Sequence, residues 1–161
     1  YRDEFLGRFG ALVEAQDLAF ATQGDTGLKA LIERILRPYG ISDAVVFEGD
    51  EAVELTPRTI MSLSLVLHEL ATNAAKYGAL SVPGGQVRIR WQLEDDNSRL
   101  RLSWVESGGP PVSAPATTGY GTKLIDSTTT YSLGGEVEQR YAPGGLETEL
   151  VIPLGGASQP N

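Results

Sequence analysis

Residues 56–78 read TPRTIMSLSLVLHELATNAAKYG, and this stretch decides the fold. Thr56 is a preferred helix N-cap, and Pro57 suits the first helical position, where its missing N–H has no partner to lose. A long apolar stretch then runs on to Tyr77, and Gly78 ends it. One long helix is therefore expected. Within it Glu69, Asn73, Lys76 and Tyr77 stand at offsets of 0, 4, 7 and 8 and share one face. A polar stripe on an apolar helix offers a carboxylate, an amide oxygen and an ammonium in line. That set suits a magnesium-bound polyphosphate, with hard oxygens for the metal and positive charge for the phosphates. Taken alone, the same stripe fits a solvated helix face with one charge pair.

Upstream, Phe5, Phe9, Leu12, Ala15 and Leu18 recur every three or four positions, which predicts an amphipathic helix from Phe5 to about Ala21. Gly24 to Gly27 interrupts it. Leu28, Leu31, Ile32, Ile35 and Leu36 predict a second helix that stops before Pro38. Ala44 to Glu48 and Ala52 to Leu55 are short β-prone runs around Gly49-Asp50, read as a small hairpin.

Downstream, the alternating runs Gln86 to Leu93 and Arg99 to Val105 flank Asp95-Asp96-Asn97 and predict a hairpin. Gly108 to Gly121, rich in Gly, Pro, Ser and Thr, reads as a functional loop. Lys123 to Leu133 reads as a helix, and Glu136 to Tyr141 with Leu146 to Pro153 as a final hairpin across Pro143-Gly144. The tail 156–161 reads as disordered, and no internal repeat is present. Strands in adjacent pairs, with helices collected on one face, give an α+β fold: a two-layer α/β sandwich with a mixed, mostly antiparallel sheet. A doubly wound parallel sheet fits worse, because strands and helices do not alternate.

The length, 161 residues, suits one domain with a real core and a short helical attachment. Against 13 Lys+Arg stand 21 Asp+Glu, a net charge of −8 without a basic cluster, so no nucleic-acid partner is expected. Cysteine is absent, which excludes disulfides and thiolate metal sites. No apolar run approaches the roughly 20 residues that span a bilayer. The chain opens on Tyr1 without the features of a signal peptide, so the expectation is a cytoplasmic, internal piece of a larger protein.

Two more groups of residues carry chemistry. Trp104-Val105-Glu106-Ser107-Gly108-Gly109 ends a strand and opens the Gly-rich loop. A carboxylate there can accept from an exocyclic amine while glycines permit flat, close backbone approach, as in an adenine pocket. An edge carboxylate before an ordinary Gly-Gly-Pro-Pro turn is the plainer alternative. Gly119-Tyr120-Gly121-Thr122-Lys123 leads into a helix whose first N–H groups can meet phosphate oxygens. It satisfies neither the dinucleotide fingerprint nor the P-loop. Order and spacing strengthen the set: helical stripe, strand ending in Glu-x-Gly, Gly-x-Gly helix start, Gly134-Gly135, terminal hairpin.

In that order the residues resemble the nucleotide-binding domain of gyrase-type ATPases, the Hsp90 chaperone and histidine kinases, the Bergerat-type ATP-binding fold. More narrowly, His68-Glu69-Leu70-Ala71-Thr72-Asn73-Ala74 and Lys76-Tyr77-Gly78-Ala79-Leu80-Ser81, with Trp104 and Glu106 before the glycines, are similar to the HWE subfamily of bacterial sensor histidine kinases. The resemblance covers about Phe5 to Pro153. It implies that Asn73 holds magnesium, that Glu69 is the acidic catalytic residue of the box with His68 beside it, and that Lys76 contacts phosphate. Glu106 would stand for the usual aspartate at the adenine amine. Gly108, Gly119 and Gly121 would shape the pocket and lid, Tyr77, Tyr120 and Lys123 would join the ATP contacts, and Thr148 would help close the adenine site. Two features depart from relatives: the segment between Gly109 and Gly119 is short, and Gln16 stands where many carry His.

His68 is the only histidine and lies inside the nucleotide helix. A phosphoacceptor must approach the γ-phosphate in line from outside, so His68 is either a hydrogen-bonded structural residue or a tuner of Glu69. The resemblance places the phosphorylated histidine upstream of Phe5. It makes residues 1–22 the second helix of a dimerisation and phosphotransfer hairpin and residues 23–155 the catalytic domain. Its implied partners are Mg-ATP, a response regulator, the phosphoacceptor helix and, in the parent, a second copy. The competing readings are a nucleotide-binding interaction module of the anti-sigma or degenerate-kinase type, and simple ATP hydrolysis.

Overall fold

The computed structural model describes residues 27–39, 44–49, 53–110 and 120–154. The Phe5 to Ala21 helix, Gln16, Gly119 with most of the loop before it, and the 156–161 tail lie outside the described residues.

Helix α1 spans Leu28–Leu36 and ends in a 3₁₀ turn, Arg37–Tyr39, that carries Pro38. Helix α2 spans Pro57–Lys76 and is capped as its sequence requires: Thr56 Oγ1 accepts from Thr59 N at 3.1 Å. Its far end closes through Tyr77 N and Gly78 N, which donate to Asn73 O at 2.8 and 3.1 Å. A 3₁₀ turn, Ala79–Ser81, follows. Helix α3 spans Tyr120–Ser127 and passes into a π-helical turn, Thr128–Ser132. Helix is thus found where Lys123 to Leu133 predicted it, with an earlier start and a changed last turn. There Leu133 N reaches Thr128 O at 3.0 Å, a bond spanning five residues across three β-branched threonines.

Strands β1 (Val45–Gly49), β2 (Gln86–Glu94), β3 (Arg99–Ser107), β4 (Glu136–Ala142) and β5 (Gly145–Pro153) form one sheet in the order β1-β2-β3-β5-β4. β1 runs parallel to β2, and the other neighbours are antiparallel. The β2–β3 hairpin turns where expected, with Asp95, Asp96 and Asn97 all at positive φ, a region that Asp and Asn tolerate better than other side chains.

The expected hairpin between 44–48 and 52–55 does not form. β1 joins the main sheet beside β2, while Glu54 bridges to Gly27 and Val53 O accepts from Leu28 N at 3.0 Å. An isolated two-stranded hairpin is marginal in water, whereas β1 on the sheet buries Val45, and Val53 and Leu55 cover the core.

Alternation sets the layers. Leu100, Leu102 and Trp104 of β3, Val87, Ile89 and Trp91 of β2, and Leu150 and Ile152 of β5 join Leu63, Leu67, Leu70 and Ala74 of α2 and Leu28, Ile32 and Leu36 of α1 in one core. Burying each such side chain contributes about 1.5–3 kcal/mol, which holds α2 on the sheet. The other sheet face is charged, with Arg101 joined to Glu94 at 2.7 Å and to Glu149 at 3.2 Å.

Candidate functional site

Glu106, at the end of β3, meets the turn that follows α2, and Thr148 of β5 lies opposite its neighbour Trp104. Glu106 takes the same face as Leu102 and Trp104, because alternate strand positions share a face. It is 4% exposed, so its carboxylate needs partners from the protein. Ala79 N, in the turn after α2, donates to Oε1 at 3.0 Å, and Trp104 Nε1 donates to Oε2 at 3.0 Å. A carboxylate offers about four lone-pair sites, so one on each oxygen stays available to a further donor.

Close backbone approach makes this junction possible. A Cβ on Gly78 would lie 2.2 Å from Glu106 Oε1 and 3.1 Å from Ala74 Cα. Gly108 turns the chain after β3 at φ +73, in the left-handed region that glycine adopts freely.

Along α2, Glu69 is buried at 6% exposure and Asn73, one turn on, is half-buried. Lys76 and Tyr77 are exposed, Tyr77 at 71%. The two oxygen-bearing side chains on one side of the helix suit magnesium, a hard cation that takes one or two protein oxygens and fills its shell with phosphate and water. Among the described residues no group of three or more His, Cys, Asp or Glu could hold a metal. His68 is half-buried, and its Nδ1 lies 3.5 Å from Thr72 Oγ1.

Thr148, buried, faces Trp104 across the β3–β5 register and accepts from Gln139 Nε2 at 3.2 Å. Lys123 is exposed on α3, which packs against α2. The backbones of Tyr120 and Gly121 open α3, and their side chains are not among those described. The structure therefore gathers the α2 stripe, Gly78, Glu106, Gly108 and Thr148 at one end of the sandwich.

Sequence reasoning missed two donors. The Trp104 indole was legible, since a fully buried Trp two residues from a buried carboxylate shares its face and needs a partner for its N–H. The Ala79 amide left no sequence signal, because it reaches Glu106 only through tertiary packing.

No family model matches the chain. It is 37% identical over 162 residues to blue-light-activated histidine kinase 1 of Erythrobacter litoralis, an alignment covering 96% of this chain. Over nearly its whole length the chain is thus similar to part of a histidine kinase. A blue-light-activated histidine kinase from Brucella anthropi is 36% identical over 155 residues, 93% of this chain. The chain spans 44% and 31% of those two proteins. The histidine kinase domain of Erythrobacter litoralis EL346 superposes with a TM-score of 0.67 at 19% identity, covering 91% of this chain and 75% of that one, and so shares the fold. Among the described residues no helix is long and apolar enough to cross a membrane.

Proposed function

We propose that the chain is the cytoplasmic ATP-binding catalytic module of a two-component sensor histidine kinase, with residues 23–155 forming the nucleotide domain and 1–22 part of the dimerisation and phosphotransfer hairpin. The observation that carries this reading is the meeting of the turn after α2 with the buried Glu106 beside Gly108, in a chain similar to part of a histidine kinase. Asn73 would hold magnesium next to the acidic Glu69, Lys76 would neutralise phosphate charge, and the free lone pairs of Glu106 would accept from the adenine amino group. Gly108, Gly119, Gly121, Tyr77, Tyr120 and Lys123 would line the nucleotide, with Thr148 closing the adenine side.

Bound magnesium would spread the negative charge of the β- and γ-phosphates. Phosphoryl transfer asks little covalent chemistry of a protein, so these side chains act by positioning and charge neutralisation. Acceptance would fall to a histidine other than His68, which is half-buried within α2, and then to an aspartate of a response regulator. The test has two stages. Calorimetric titration should give magnesium-dependent binding of ATP. A relative's phosphoacceptor hairpin, supplied as a separate polypeptide with γ-labelled ATP, should then become labelled at histidine. Binding without transfer would favour an interaction module, and no binding would remove the reading altogether.

A further inference from the structure

The indole of Trp104 is fully buried and spends its only donor on Glu106. We infer that Trp104 is a specificity-determining residue: by donating to Oε2 it requires a carboxylate at position 106 and so fixes which base the site accepts. The inference rests on the nucleotide reading above and extends it to a residue that touches no part of the base.

The argument is one of donors and acceptors. The two groups that hold Glu106 are a backbone N–H at Ala79 and an indole N–H at Trp104, and neither can accept. Position 106 must therefore present two acceptors in a place closed to water. A carboxylate does so in either orientation. An amide cannot: whichever way Gln is flipped, its NH₂ faces either the Ala79 N–H or the Trp104 N–H, leaving two donors opposed and unpaired. What remains on Glu106 toward a ligand is then acceptor only. An exocyclic amine is welcomed there and a carbonyl oxygen is refused. The simple expectation that Glu106→Gln would admit guanine through its amide donor thus fails while Trp104 stays. The amide can turn its NH₂ outward only if the indole donor is removed.

A double-mutant cycle on the 161-residue chain tests this, because the loss of ring volume on Trp104→Phe cancels between its two arms. Unfolding in urea and competitive binding of ATP and GTP are measured for Trp104→Phe, Glu106→Gln and the double variant. Glu106→Gln should lower the folding equilibrium constant at least tenfold when Trp104 is present and much less in the Trp104→Phe background. Only the double variant should bind GTP as well as ATP, while Trp104→Phe alone keeps the preference for ATP.

An equal effect of Glu106→Gln in both backgrounds overturns the inference. So does an ATP-to-GTP ratio that the double variant leaves unchanged. If Glu106→Gln alone fails to fold, recovery of a folded chain in the double variant supports the coupling. If Trp104→Phe itself collapses, 3-benzothienylalanine at this position keeps the bicyclic shape without the N–H and serves in its place. Coupling in folding with no nucleotide bound by the parent chain would overturn the specificity role together with the nucleotide reading, whereas bound nucleotide without coupling would sink this inference alone.

Discussion

Gly78→Ala should destabilise the chain by displacing the Glu106 carboxylate. The added Cβ would sit 2.2 Å from Glu106 Oε1, with Ala74 Cα at 3.1 Å on its other side. Carbon and oxygen need more than 3 Å, so the carboxylate must retreat by about 1 Å. That retreat stretches the 3.0 Å bond from Ala79 N beyond the roughly 3.2 Å at which such bonds hold. Glu106 is 4% exposed, so water does not replace the lost donor. An unsatisfied buried donor costs about 1–3 kcal/mol, and loss of the indole bond as well would double this to about 2–6 kcal/mol. A domain with a net stability of about 5–15 kcal/mol would feel either. In urea, with a slope of about 1–3 kcal/mol/M, a loss of about 3 kcal/mol moves the midpoint down by roughly 1–3 M. Exchange of the Ala79 amide should accelerate, and ATP binding should weaken. Gly144→Ala, where no atom lies within 4 Å, is the control and should leave the midpoint in place. A Gly78→Ala midpoint equal to the control's, with Ala79 still protected, would refute the reasoning.

Other perturbations reach separate parts of the molecule. Asn73→Ala should abolish magnesium-assisted nucleotide binding with a change in stability under about 0.5 kcal/mol, because a half-buried polar side chain leaves no core cavity; unchanged calorimetric affinity would reduce the stripe to a helix face. Incubation of the 161-residue chain with γ-labelled ATP should leave it unlabelled, and acid-labile label on His68 would contradict its placement inside α2. ATP should be preferred to GTP by at least about tenfold, or about 1.4 kcal/mol, and equal displacement of a fluorescent nucleotide by both would show that Glu106 does not read the base. On the open sheet face, hydrogen bonds from Arg101 first and Gln92 second hold the Glu94 carboxyl below its ordinary range. A lowered folded-state pKa gives stability that is complete above the ordinary value, about 4.3, and lost as pH falls through the lowered one. Arg101→Met should therefore flatten the stability profile in that acid window, and an unaltered profile would show the pair to be immaterial.

What was legible in the sequence is what local chemistry decides. Thr56 and Pro57 mark the start of α2 because a cap and a missing N–H act within one turn, and Leu100, Leu102 and Trp104 mark a buried face because alternation is a property of the strand itself. The partner of β1 was not legible. Glu48 and Glu54 flank what reads as a turn, yet pairing with β2 is settled across the whole length of α2, where no neighbouring residue reports it. The end of α3 lies between these cases: its helical residues were readable, while the switch to a π turn at Thr128 depends on packing against α2. Glu106 was read as an acceptor for a ligand. That one of its oxygens also binds the Ala79 amide emerges only once α2 is laid on β3, whereas the Trp104 indole lies two residues away on the same strand face.

Those two bonds bear on how the site is prepared. Asn73 and Glu69 belong to α2 and Glu106 to β3, so the metal end and the base end of the proposed site ride on different elements. Hydrophobic contact alone fixes the distance between a helix and a sheet loosely, since it is non-directional. The Ala79–Glu106 bond is directional, and it ties the turn after α2 to the last buried position of β3. In the proposed site Glu106 would thereby set the spacing between phosphate and base before any nucleotide arrives, with its remaining lone pairs held at a defined place. An alanine at position 78 would press on this carboxylate, because the chain passes within contact of it there. A ligand entering such a site meets groups already oriented and loses less in ordering them, which is where preorganisation raises affinity. Severing the Ala79–Glu106 tie should then weaken binding at both ends of the nucleotide together. The triphosphate alone, which never touches Glu106, becomes the decisive probe: Gly78→Ala should weaken its magnesium-dependent binding too, and retention of wild-type affinity for triphosphate would mean that the two ends are set independently.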